Sequence, residues 1–218
     1  MVTVTERLCE RILASEPDDL GHEVRAHAGR LVLDGLAVAI AGTVQEAPPG
    51  ILAAHVRAEG GAPDATVLGF GFKTNAMRAA YVNGASMHVL DYEPMWLPAN
   101  HALSTTLPAA LAIAEVTGAD GRHLVEALVK GIEIQGWIRE ASEQWDPGAL
   151  TLHPPGMVGP MSSAVAAGIL LELTPRQLAH ALGIAASRAG SVLANAGTMT
   201  KCTHCGLATS LGLEAAQL

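Results

Sequence analysis

The apolar half of this sequence is nearly free of aromatic rings. Half of its 218 residues are hydrophobic, yet it holds only two Phe, two Tyr and three Trp, alongside 23 Gly. A core filled mainly by Ala, Leu, Val, Ile and Met closes only when backbones approach each other closely. That favours packed helices over a β-sandwich, whose strands select β-branched and aromatic residues. The expected fold class is therefore all-α, a multi-helix bundle over residues 1–218, with no repeat or low-complexity linker to divide it.

Helix signals run along the chain. Thr3 and Glu6 form a capping box before Leu8 and Ile12. A longer helix is expected from about Glu23 to Ala41, with Ala28, Val32, Leu36 and Ala39 inward, and another from Pro49 to Gly60. ATVLGFG at 65–71 is the short segment suited to a strand, too isolated to define a sheet. Helices then follow from about Thr74 to Val89, from His101, after the cap Asp120, and from Val158 to Leu171. Thr174, Pro175 and Gln177 open the next helix. ALGIAASRAGSVLANAG reads as helical, and a last helix starts near Cys202. The pattern is still helical at GLEAAQL, so the chain is expected either to end with this helix or to belong to something longer.

Thirteen Lys and Arg against 21 Asp and Glu give a net charge of −8 and no basic run, which argues against a nucleic-acid groove. A small anion remains compatible, because a few cations inside a pocket outweigh a distant acidic surface. Three cysteines do not make a secreted disulfide framework, and MVTVTERLCERI lacks the pattern of a signal peptide. LVLDGLAVAIAG and MVGPMSSAVAAGILL are too short or interrupted to span a bilayer, so a cytoplasmic protein is expected.

Three irregular segments carry the ionisable groups. The first holds His88, Asp91, Glu93 and His101, and the second holds His153 before two prolines. The third holds Lys201 and His204, where Lys201 is the single charged residue between Gly190 and Leu207. No HExxH or double CxxC spacing supports a metal, and the cysteines of CTHC read as small hydrophobes rather than a redox pair. There is no GxxxxGK[ST], GxGxxG or GxSxG. General acid–base chemistry on a carboxylated substrate fits these residue types: a lysine for fixed charge, histidines for proton transfer, an aspartate to orient an imidazole.

At these residues the chain resembles the MmgE/PrpD family, which contains 2-methylcitrate dehydratases and cis-aconitate decarboxylases. The resemblance runs through LVLDGLAVAIAGT, NGASMHVLDYE, HALSTTLPAALAIAEVTG, KGIEIQGWI, LHPPGMVGPMSSAVAAGILLEL and HALGIAASRAGSVLANAGTMTKCTHCGLAT. It implies a helical domain, an α/β lid domain that this chain lacks, and dimerisation, with no redox cofactor and no obligatory metal. Asp91 matches the family's H-x-x-D aspartate, His101 the histidine opening the next helix, and His153 the histidine of its HPP string. Lys201 and His204 match its TKxxHxG signature. The resemblance makes Asp91, His101, His153 and His204 the expected catalytic residues and Lys201 the carboxylate holder. Tyr92 to Trp96, Ala102, Cys202 and Cys205 depart from the family's usual residues.

The leading expectation is a lyase that dehydrates a small hydroxylated di- or tricarboxylate, acting as a homodimer or with a chain that supplies the lid. Decarboxylation and epimerisation use the same kinds of group and are the nearest rivals. A non-catalytic helical subunit of a split enzyme is the alternative of a different class.

Overall fold

The computed structural model describes residues 2–15 and 19–218. Its elements are α1 (Val4–Leu13), α2 (His22–Gln45), α3 (Ala47–Glu59), β1 (Ala65–Val67), β2 (Phe72–Thr74), α4 (Ala76–His88), α5 (Ala102–Thr117), α6 (Gly121–Ala141), α7 (Pro154–Leu170), α8 (Pro175–Ser187) and α9 (Lys201–Gln217). The fold is an all-helical bundle with one small hairpin.

The scarcity of rings is expressed as close helix approach. α9 packs against both α4 and α7, and glycines make those contacts possible. A Cβ on Gly206 would lie 2.3 Å from the Tyr81 carbonyl oxygen, and one on Gly212 would lie 2.1 Å from that of Pro160. On α2, a Cβ at Gly42 would meet the Ser86 carbonyl at 2.3 Å. Any side chain at these positions would push apart helices whose attraction comes from many weak contacts at short range. Around the seams lie Met87, Leu103, Leu107, Ile113, Leu128, Ile134, Leu178 and Leu213, all fully buried.

Caps fall where the sequence places them. Thr3 with Glu6 and Thr174 with Gln177 both form complete capping boxes, and Asp120 accepts from the backbone N–H of Arg122 and His123. Three expectations need correction. The strand at 65–67 is not isolated: it pairs antiparallel with 72–74, Ala65 opposite Thr74, because Gly69 and Gly71 take positive φ in the turn between them. α7 begins at Pro154 rather than Val158, since Pro154 and Pro155 occupy first-turn positions where no N–H is required. Residues 188–200 are not helical apart from a 3-10 turn at Leu193–Asn195. That stretch instead gives its backbone groups to the entry of α7. Gly190 N–H donates to Gly156 O, Leu193 N–H to Thr151 O, and Ser191 O accepts from His153 N–H.

By length and composition α2, which contains LVLDGLAVAIAG, is the one helix among the described residues apolar enough to cross a membrane. Here it packs on α4 and α5 through Ala39 and its glycines, while Leu33, Ile40 and Val44 are exposed.

Candidate active site

Four helix ends meet at one place. His88 is the last residue of α4, while His101 and His153 stand at the N-caps of α5 and α7. Lys201 is the first residue of α9, with His204 one turn on along the same face. Three helix N-termini therefore point positive backbone ends toward the same region, an arrangement that favours an anionic ligand.

The chain leaves α4 through a tight turn in which Asp91 N–H donates to His88 O and Asp91 adopts φ 54°. Few side chains accept that left-handed conformation, and aspartate is one of those that do. The turn sends Asp91 outward and Glu93 inward. The Asp91 side chain is half exposed, and both its oxygens lie 2.5 Å from Lys201 Nζ. The Glu93 side chain is fully buried, with Oε1 2.7 Å from His88 Nδ1 and 3.3 Å from His101 Nδ1. The Nε2 atoms of the same two rings each lie 3.6 Å from Asp91 Oδ1. Two imidazoles thus span two carboxylates.

A second pair backs the first. His153 Nδ1 and His204 Nδ1 are 3.2 Å apart, and the His153 ring lies 5.7 Å from that of His88. Burial first, then the charges of His88, His204, Lys201 and His101, push the His153 imidazole down to about 3. Burial, followed by His88 and Lys201, lowers His204 as well. Both rings are therefore neutral near pH 7, and one proton lies between their facing Nδ1 atoms. Whichever ring donates, the pair has one Nε2 that carries a proton and one that does not. Burial opposes the charge on Glu93, but the facing ring nitrogens and charge of His101 and His88 outweigh it and hold the carboxyl well below the usual carboxylate range.

His88, Asp91 and Lys201 line a cleft of about 380 Å³, together with Glu46, Met199 and Cys202. A larger groove of about 440 Å³ between α2, α6 and Pro94–Trp96 is almost wholly apolar and lies away from Lys201 and the paired histidines. Burial pushes the Cys202 thiol up to about 11 and the Cys205 thiol well above its ordinary value, so CTHC presents no thiolate near pH 7.

His88, Glu93 and His101 are all buried and offer ligand atoms within 4.8 Å of one another. The 2.7 Å between His88 Nδ1 and Glu93 Oε1, however, is a hydrogen-bond distance. Two ligands held at about 2.0 Å on one tetrahedral ion stand roughly 3.3 Å apart. The arrangement fits a shared proton better than a shared cation.

The model of the MmgE/PrpD N-terminal domain matches residues 6–218 of the sequence. The chain belongs to the MmgE/PrpD family. Among its relatives are proteins named cis-aconitate decarboxylase. The one from Homo sapiens is 33% identical over 99% of this chain and 46% of its own length. That from Mus musculus is 33% identical over 98% of this chain and 44% of its own. That from Aspergillus terreus is 31% identical over 96% and 44%. This MmgE/PrpD chain spans less than half the length of these relatives.

Asp91, His101, His153, Lys201 and His204, named from the sequence, all come to this one region of the MmgE/PrpD chain. The sequence groups His88 and Glu93 with Asp91 and His101 but assigns neither a catalytic role. The available signal was H-x-x-D-x-E itself, a second acid two residues after the first. Nothing in the string indicates that a left-handed Asp91 turns the two acids in opposite directions.

Proposed function

We propose that this protein is a lyase, or the helical part of one, that decarboxylates an unsaturated tricarboxylate of the cis-aconitate type by general acid–base catalysis. The observation that carries the reading is the Lys201–Asp91 ion pair at a cleft backed by His88, His101, His153 and His204. The names of the three relatives favour decarboxylation over the dehydration expected from sequence.

In this reading Lys201 meets a substrate carboxylate that remains in the product, releasing its hold on Asp91. The C–C bond to the carboxylate of the neighbouring carboxymethyl arm breaks, CO2 leaves, and the electron pair spreads over an allylic carbanion conjugated to the anchored carboxylate. Fixed positive charge at that carboxylate stabilises the transition state more than the ground state. A proton from His101 Nε2 then closes the far end of the allyl system, and water re-protonates the ring. The proposed protein acts as a homodimer or with a chain that supplies the lid, in the cytoplasm.

Dehydration is the second reading, supported by the His153–His204 pair. Removing water needs one base and one acid at once, and one bare and one protonated Nε2 are what that pair offers.

The test is mass spectrometry of the purified protein with cis-aconitate, citrate and 2-methylcitrate. Loss of CO2 from cis-aconitate is expected. Loss of water from a hydroxylated acid would replace decarboxylation by the second reading. Lys201→Ala is expected to lower kcat/KM by about 100-fold or more. Unchanged turnover in that variant would remove the anchoring role.

A further inference from the structure

Glu93 is the one ionised group of the cluster that faces away from the cleft. It is 3% exposed, its side chain is fully buried, and it reaches only the Nδ1 sides of His88 and His101. A carboxylate is acceptor only, so a ring nitrogen that turns to it does so with its proton. His88 Nδ1 meets Glu93 Oε1 at 2.7 Å. His101 Nδ1 is buried with no hydrogen bond, 3.3 Å from that same Oε1, and Glu93 Oε2 is buried without a partner. Two Nδ1–H donors thus face one carboxylate with two oxygens, and a small rotation of the carboxylate gives each donor its own acceptor. The opposite nitrogens, Nε2 of both rings, converge at 3.6 Å on Asp91 Oδ1, the acid that engages Lys201.

We propose that Glu93 is a positioning residue that fixes the tautomer of both His88 and His101, holding the Nδ1 protons so that each Nε2 faces Asp91 and the cleft as the proton-exchanging nitrogen. The assignment rests on the reading of His101 as the proton carrier. Glu93 itself touches no substrate. A neutral ring so held turns a bare Nε2 toward Asp91, that of His88 buried and without a hydrogen bond; when that nitrogen is protonated, the ring faces a carboxylate on each side. Hydrogen-bonding an imidazole from behind by a buried carboxylate sets which nitrogen does the chemistry. Around Glu93 the other facing groups are the rings themselves and Cys205 on α9, whose thiol burial keeps neutral.

Glu93→Gln separates this role from packing. The amide keeps the shape, but its oxygen satisfies one Nδ1–H while its NH2 faces the other ring as a donor. That second ring is driven to carry its proton on Nε2. Long-range 1H–15N correlation spectra of histidine-labelled protein at mildly alkaline pH report the tautomer of each ring directly, with His88→Gln and His101→Gln assigning the signals. The wild type is expected to show Nδ1–H on both rings, and Glu93→Gln to show at least one with Nε2–H. In the decarboxylation assay the same variant is expected to lose about 100- to 10,000-fold in kcat, while KM moves by less than about threefold. Glu93→Asp, which keeps the charge, is expected to hold both tautomers and recover at least about tenfold of the loss. An Nε2–H tautomer at either ring of the wild type overturns the proposal, and so do two Nδ1–H rings in Glu93→Gln. Should Glu93→Gln not fold, Glu93→Asp and the wild-type spectrum still decide it. If the wild type turns over no tricarboxylate, the proposed reaction falls, while the tautomers still pass or fail by themselves.

Discussion

Alanine in place of Gly212 tests whether the small-residue core is a requirement of this fold or only a habit of its composition. The added Cβ would stand 2.1 Å from Pro160 O, 2.5 Å from Ser163 Cβ and 2.9 Å from Ala164 N. These neighbours are backbone atoms and the first carbon of a side chain on α7, so none can swing aside. α9 must retreat from α7 by roughly 1 Å, and a gap of that size forfeits up to about half of each contact's attraction. Overpacking of this kind costs about 3 kcal/mol, and the better helix propensity of Ala returns about 1 kcal/mol. The net expectation is a loss of about 2 kcal/mol, or roughly 4–8 °C in Tm for a domain of this size. Gly183, exposed on α8 with nothing within 4 Å of its would-be Cβ, is the matched control. There the same change keeps the propensity gain and is expected to stabilise by about 0.5–1 kcal/mol. Urea denaturation of the two variants beside the wild type measures both. Equal stability of Gly212→Ala and wild type, or a shift of the same sign in both variants, would refute the close-packing argument.

Other perturbations give equally definite outcomes. His153 has a folded value of about 3 against an ordinary 6.5, so the unfolded chain binds its proton first. Stability is then full above about pH 6.5 and falls as pH drops toward 3, whereas the contribution of Glu93 is lost only below its ordinary 4.5. Between pH 7 and 5 the histidine effect reaches at most about 2 kcal/mol, and His153→Gln should shrink the difference between urea curves at those two values. Thr174→Ala removes the side-chain half of a capping box and should cost about 1 kcal/mol, read from the denaturation midpoint together with faster amide exchange in the first turn of α8. Cys202 and Cys205, buried with raised thiol values, should resist iodoacetamide near pH 7.5 until the protein is denatured; rapid labelling of the native protein would contradict their placement.

Much of the fold is written in local chemistry. Thr3 with Glu6, Asp120, and Thr174 with Gln177 each announce a helix by a bond made within three residues, so a string of letters suffices to locate them. The failures occur where partners are distant in sequence or geometry overrides propensity. SRAGSVLANAG has the small apolar residues of a helix, but its backbone is taken up by Thr151, His153 and Gly156 at the entry of α7. The strand at 65–67 needed its partner across a turn of two positive-φ glycines before it counted as a sheet.

The site divides in the same way. His88, His101 and Lys201 lie at helix ends that are legible in the sequence, whereas the boundary at His153 is not, and boundaries that share one end of a bundle bring their side chains together. The proton inventory is not legible, since it depends on which nitrogen of each ring faces which carboxylate. Asp91 and Glu93 are two residues apart and chemically alike in the sequence. In the structure one is half exposed against Lys201, and the other is sealed between two imidazoles. In the proposed reaction a substrate carboxylate displaces the first from Lys201. The second would leave a buried charge unpaired if it moved, at a cost of several kcal/mol, and so stays where it is. The arrangement holds His88 and His101 from the buried side and leaves the Lys201–Asp91 pair on the open side, where we propose that substrate binds, and the φ of 54° at Asp91 is what separates the two acids.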